Sequence, residues 1–211
     1  MKIPEHPIFL ESLKYIRSQI GFTGLDKVQQ SIVERIIHSS GDFSLQSCMR
    51  FSPGSCEEAI TAFKNGAKIL TDTNMAKAAI SPMAKRTLNI DVQCILSMAP
   101  MSIDATMKTR SSIGMENIWL DMEKKEEELL VGPVVVIGSA PTALMTLLDL
   151  IQKGTKRPSL IIGMPVGFIG VSECKNRLIN SDCSHIVLEG PKGGASLAAA
   201  TVNALLRAAE Y

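Results

Sequence analysis

His38 makes the strongest case for chemistry among the side chains of this sequence. Leu25, Val28, Ile32, Ile36 and Ile37 recur at helical spacing, which predicts an amphipathic helix with His38 on its last turn. Ser39-Ser40-Gly41-Asp42 follows at once. The carbonyl end of a helix favours an imidazolium, and Asp42 adds to that preference. A histidine held protonated near neutral pH suits general acid catalysis, with turnover falling as pH rises and the acid form is lost. The alternative is a capping histidine with no chemistry. His6 stands beside Pro7 near the start, and His185 sits just before a predicted strand. Arg110, within Thr109-Arg110-Ser111-Ser112, is a natural carboxylate clamp, or else a plain surface arginine.

Three Gly- and Pro-rich loops form the second candidate feature. They are Gly138-Ser-Ala-Pro-Thr-Ala143, Gly163-Met-Pro-Val-Gly-Phe-Ile-Gly170 and Glu189-Gly-Pro-Lys-Gly-Gly-Ala195. Each follows an apolar run of strand type and opens a helix. Helix N-termini carry free N–H groups and bind anions, so three on one rim suit a ligand with several carboxylates or phosphates. The same glycines serve tight strand-to-helix turns equally well. Neither G-x-G-x-x-G after a strand nor G-x-x-x-x-G-K-[ST] occurs, which argues against a nucleotide. Pro191-Lys192-Gly193-Gly194 lacks the hydroxyl and the spacing of a phosphate loop. No Ser-His-Asp order or metal-ligand spacing stands out, and Asp72 with Asn74 is too little for a cation site.

These groups need elements to hold them. Phe9, Leu13, Ile16 and Ile20 predict a first helix, ended by Gly21 and Gly24, and Ser55 to Asn65 predicts a third with Ser55 as N-cap and Gly66 as its stop. Strands are predicted at 67–71, 92–96, 134–137, 160–163 and 186–188. Val134-Val-Val-Ile137 is a continuous β-branched run, as expected of a strand buried on both faces. Helical stretches are predicted at 102–129, 141–153, 170–180 and 193–209. Strands alternating with helices of ten or more residues imply crossovers and a parallel sheet. The expected fold is a single three-layer α/β/α domain over 1–211 with a mostly parallel sheet. In such sheets ligands bind outside the carboxyl ends of the strands, where the three loops fall.

Composition narrows the function. The chain has 211 residues, 45 % of them hydrophobic and 20 % charged, with enough apolar material for a sizeable core. Net charge is +1 and aromatics are 4 %, which disfavours a nucleic-acid footprint or a base-stacking platform. Cys48, Cys56, Cys94, Cys174 and Cys183 are scattered, without C-x-x-C. A disulfide framework is not expected, no cysteine is expected to be catalytic, and a cytoplasmic setting is. The uncharged stretch 129–148 is broken by Gly132-Pro133 and Gly138-Ser-Ala-Pro141, so no membrane span is expected. Glu123-Lys-Lys-Glu-Glu-Glu128 reads as a solvated helix end.

Several blocks resemble one family together. They are His6-Pro-Ile, Glu11-Ser12, Val33-Glu-Arg-Ile-Ile-His38-Ser-Ser-Gly41, Gly66-Ala-Lys-Ile-Leu-Thr-Asp72-Thr-Asn-Met75, Thr109-Arg110-Ser111, Ala140-Pro-Thr-Ala-Leu144, the Gly163–Gly170 loop and Lys192-Gly-Gly194. In this order the chain resembles, nearly end to end, the precorrin-8X and cobalt-precorrin-8 methylmutases. Ser139 stands where Asn is usual, Pro191 where Arg is common and Ala195 where Ser is common; the loop amides remain.

The resemblance implies an isomerase of cobalamin biosynthesis. It would move a methyl group from C-11 to C-12 of the macrocycle in a [1,5]-sigmatropic shift, giving hydrogenobyrinate or its cobalt form, cobyrinate. It further implies a homodimer with substrate near the subunit interface, no cofactor and no metal. His38 matches the catalytic histidine. Ser12, Arg17, Ser81 and Arg110 match the expected substrate site, joined by Gly163, Met164 and Gly167 from one loop and Lys192, Gly193 and Gly194 from another. Val166, Phe168 and Ile169 are further candidates for macrocycle contact. The rival functions are a nucleotide-dependent oxidoreductase, already disfavoured by its missing fingerprint, and a non-catalytic tetrapyrrole carrier.

Overall fold

The computed structural model describes residues 6–101, 108–125 and 131–210. Its first two helices are α1 (Pro7–Ile20) and α2 (Lys27–Ser40). His6 caps α1, and Asp26 caps α2 through a full capping box with Gln29. Gly41 ends α2 in the left-handed conformation (φ 67°), which glycine adopts without a Cβ clash. The chain then makes a 3₁₀ turn and a short strand, β1 (Met49–Phe51), before α3 (Ser55–Lys64). Ser55 is not the cap expected of it. Gly54 takes that position, and the Ser55 hydroxyl is buried inside the first turn without a hydrogen-bond partner among the described residues.

From there the alternation is regular: β2 (Ile69–Thr71), α4 (Asn74–Thr87), β3 (Val92–Cys94), α5 (Arg110–Lys124), β4 (Val134–Ile137), α6 (Pro141–Gln152), β5 (Leu160–Gly163), α7 (Val171–Ile179), β6 (His185–Leu188) and α8 (Ala195–Ala209). The predicted helix at 102–129 is observed over Arg110–Lys124; 102–107 and 126–129 lie outside the described residues. The sheet runs β1-β6-β5-β4-β2-β3. Only β1 is antiparallel, paired to β6 at one edge. The five parallel strands have the order of a doubly wound sheet, and direction reverses between β2 and β4.

Both faces are covered. Ile69, Val134, Val136, Leu160, Ile162, Ile186 and Leu188 point into one core, shared with α1, α2, α3, α4 and α8. Leu70, Val135, Ile137, Ile161 and Val187 point into the other, with α5, α6 and α7. Alternate residues of each strand therefore serve opposite cores, which is why these strands read as continuous apolar runs.

The reversal point is closed by a side chain. Asp72, completely buried just after β2, accepts through Oδ2 from the backbone N–H groups of Gly138 (3.0 Å), Ser139 (2.6 Å) and Ala140 (2.8 Å). These amides lead into α6, so a carboxyl group of the protein fills an anion-binding helix start. Among the described residues its Oδ1 has no partner. Burial pushes the carboxyl up from 3.8 against the pull of the three amides.

Two outcomes follow. Asp72→Ala orphans the three amides and should lower unfolding free energy by about 3 kcal/mol, with Asp72→Asn recovering part, as read by urea denaturation. A raised folded-state value also means that the native chain holds this proton more tightly than the unfolded one. Wild-type stability relative to Asp72→Asn should therefore fall as pH rises upward from 3.8, and a rise would contradict this assignment.

Candidate active site

The carboxyl ends of the parallel strands make one rim. α2 packs along α8, and its C-terminal end comes to this rim. Lys192 fixes the junction: its Nζ donates to Asp42 Oδ2 at 2.6 Å and Ser44 Oγ at 3.1 Å, just beyond the end of α2. These bonds, Lys192 first, pull the Asp42 carboxyl down to about 2. Asp42 was expected beside His38 as a charge partner. Its hydrogen bonds go instead to Lys192 and Ser44.

His38 is exposed in a groove of about 530 Å³ lined by Ile8, Glu11, Ser12, Tyr15, Ile37 and Phe43, among others. Ser12 and His38 therefore share one groove, as expected. The Phe9 ring meets the imidazole edge-on, centroids 4.8 Å apart, and carries the Arg35 guanidinium 4.9 Å from its own centroid. The other histidines are committed elsewhere. His185 is buried, with Nδ1 against the Cys183 carbonyl. His6 uses Nδ1 to accept the Ile8 N–H, which an imidazolium cannot do.

Arg17, expected at the substrate, holds Glu34 in a two-pronged pair (2.7 and 2.8 Å). Glu34 is buried one turn before His38, and Gln30 supports it at 2.9 Å. This ties α1 to α2 beneath the groove. Ser81 lies apart: its hydroxyl donates to Lys77 O in mid-α4, beside Lys85, Asn89 and Asp91.

The loops after β5 and β6 are latched together. Gly194 N donates to Met164 O (2.9 Å) and Gly167 N to Pro191 O (3.0 Å). A Cβ on Gly193 would lie 2.2 Å from Met164 O, so only glycine permits this approach. Gly163 and Met164, expected at the substrate, do not reach the surface. Gly163 packs under Leu178, and Met164 is completely buried with its Sδ near Thr201. The apolar surface of this loop comes from Val166, Phe168 and Ile169, the last two about nine-tenths exposed.

The three loops differ as anion sites. Asp72 already occupies the one before α6. Those before α7 and α8 begin at Gly170 and Gly194 with no side-chain cap. Further along the rim, Arg110 opens α5; its Nε donates to Pro100 O at 3.1 Å, and among the described residues the rest of the guanidinium has no partner. Thr109 Oγ1 and Thr142 Oγ1, 2.7 Å apart, join the starts of α5 and α6 beside it. Two of the buried thiols are poor nucleophiles: burial pushes Cys56 up to about 12 and Cys174 up to about 11.

A doubly wound sheet carrying a histidine, an arginine and uncapped helix starts along one rim defines the class of α/β protein whose rim chemistry suits an anionic ligand. Comparison with known proteins is more specific. Residues 7–208 match the family described as precorrin-8X methylmutase. A cobalt-precorrin-8 methylmutase of Synechocystis is 36 % identical, over 96 % of this chain and 95 % of its own. A precorrin-8X methylmutase of Pseudomonas aeruginosa is 35 % identical, over 94 % and 93 %. The crystal structure of the precorrin-8X methylmutase of Thermus thermophilus superposes with a TM-score of 0.83 at 32 % identity, covering 96 % of this chain and 95 % of that one. The chain belongs to the precorrin-8X methylmutase family and is an isomerase that transfers a methyl group within its substrate. Among the described residues no helix is long and apolar enough to cross a membrane.

Arg110→Ala should weaken macrocycle binding by about one to two decades, the scale of a charge-assisted pair of roughly 1.5–3 kcal/mol, while Arg110→Lys recovers only part because it lacks the fork. Titration of product by its visible spectrum measures this, and unchanged affinity in Arg110→Ala would place the residue outside the site.

Proposed function

We propose that this protein catalyses the methyl shift of cobalamin biosynthesis on precorrin-8X or cobalt-precorrin-8. The methyl group leaves C-11 and joins C-12, giving hydrogenobyrinate or cobyrinate. His38 acts as general acid. Its proton enters the conjugated macrocycle and leaves the π system electron-poor. The C-11–methyl bond then breaks as the C-12–methyl bond forms, the methyl carrying its electron pair, and the proton is returned. Such a shift asks for an acid, a shaped apolar surface and carboxylate contacts, and for no cofactor.

The observation that carries this reading is the placement of His38. It stands exposed on the last turn of α2, in the same groove as Ser12. Arg110 and the amides before α7 and α8 are suited to the acetate and propionate groups of the macrocycle. Val166, Phe168 and Ile169 offer its ring an apolar wall. In this reading the protein works as a homodimer in the cytoplasm, and Arg17 and Ser81 reach the substrate through the assembled dimer. It binds neither nucleic acid nor membrane.

The test is incubation of the protein with metal-free and cobalt-bound precursor, following the visible spectrum. We expect conversion of at least one of them well beyond one equivalent, by a species of twice the chain mass in light scattering. Conversion that stops at one equivalent would identify a carrier, and no conversion of either would reject the activity.

A further inference from the structure

Lys175 is the most costly side chain outside the residues discussed so far. It lies on α7, is completely buried, and has no carboxylate partner among the described residues. An ammonium in such a place is disfavoured by desolvation, which lowers Lys175 from 10.5 to about 8. Its hydrogen bonds run to two carbonyls of one loop: Nζ donates to Gly190 O and to Lys192 O, both at 2.7 Å. Those residues flank Pro191, which has no N–H with which to fix itself.

The consequence for the rim is directional. Across a trans peptide the N–H points opposite to the C=O, and no described peptide is cis. With Lys192 O held by Lys175, the N–H of Gly193 is turned away from the buried ammonium, while the Lys192 side chain reaches Asp42. The same loop is held laterally by Gly194 N on Met164 O. We propose that Lys175 is a positioning residue for substrate binding: through the Gly190 and Lys192 carbonyls it sets the 190–194 loop so that the Gly193 N–H faces a macrocycle carboxylate. This rests on the methylmutase reading above. Lys175 touches no substrate itself. A buried charge without a counter-charge is poor stabilisation, so a role in folding alone does not explain it.

Lys175→Met keeps the length and removes the donors. We expect it to fold with an unchanged or higher Tm, to raise KM and the product Kd about tenfold, and to leave kcat within about threefold. Lys175→Gln, which retains two N–H donors on a shorter stem, should fall between Lys175→Met and wild type. Without substrate, hydrogen exchange at Gly194 N–H should quicken about tenfold in Lys175→Met, while that of Cys174 in α7 stays as it is. The exchange result judges the loop even if the wild-type protein converts neither precursor, so failure of the activity and failure of this role are separable. Unchanged KM and Kd in either folded variant would overturn the proposal. So would a loss of kcat at constant KM, a lowered Tm with unchanged binding, or a Lys175→Met chain that does not fold together with a Lys175→Gln chain of wild-type affinity.

Discussion

The bond between Asp72 and the amides of Gly138, Ser139 and Ala140 is the constraint on which the rest of this architecture depends. In a doubly wound sheet the two strands at the reversal point send their helices to opposite faces, and their carboxyl ends part. Elsewhere that gap receives a ligand. Here a carboxyl group from the end of β2 crosses it and caps the helix that follows β4. The strand ends are joined by the protein's own carboxyl group. The substrate contacts proposed above lie off the reversal point, on the flanking parts of the rim, with Arg110 to one side and His38 to the other.

The flank near His38 is assembled from the α1–α2 pair and two loops far from it in sequence. α1 is pinned to α2 through Arg17 and Glu34, and α2 to the loop after β6 through Asp42 and Lys192. That loop is pinned in turn to the loop after β5 by Gly194 and Gly167. Each link is a charged or backbone bond, so the hydrophobic cores set where the elements lie while polar contacts aim the groove. A histidine exposed in this groove, with an arginine and uncapped helix starts spread along the rim, suits the proposed chemistry on a large polyanionic ring that needs one proton and a defined orientation.

Much of this was legible in the sequence because its signals are local. The periodicity of α1 and α2 and the β-branched run of β4 follow from burial on one stripe or on two faces, and both are found as expected. Ser12 and His38 meet because antiparallel neighbouring helices bring such residues together. β1 escaped notice because three residues at an antiparallel edge carry no pattern, and Ser55 looked like a cap because capping depends on one torsion that composition does not reveal. The role of Asp72 rests on residues 66 to 68 positions away, and the burial of Met164 and Lys175 on α8 and on the loop after β6. A loop rich in glycine announces a close approach without saying which of its atoms face solvent. For the Gly163–Gly170 segment the buried half and the exposed half read alike.

The most direct test of the central claim, that His38 supplies the proton while other groups hold the ring, is a comparison of wild type and His38→Ala at saturating precursor, with product affinity measured on the same preparations. The account predicts that His38→Ala folds, binds product within a few-fold of wild type and loses about 10²–10⁴ in turnover, the usual worth of a general acid. Near wild-type turnover, or a folded His38→Ala protein unable to bind product, would contradict it.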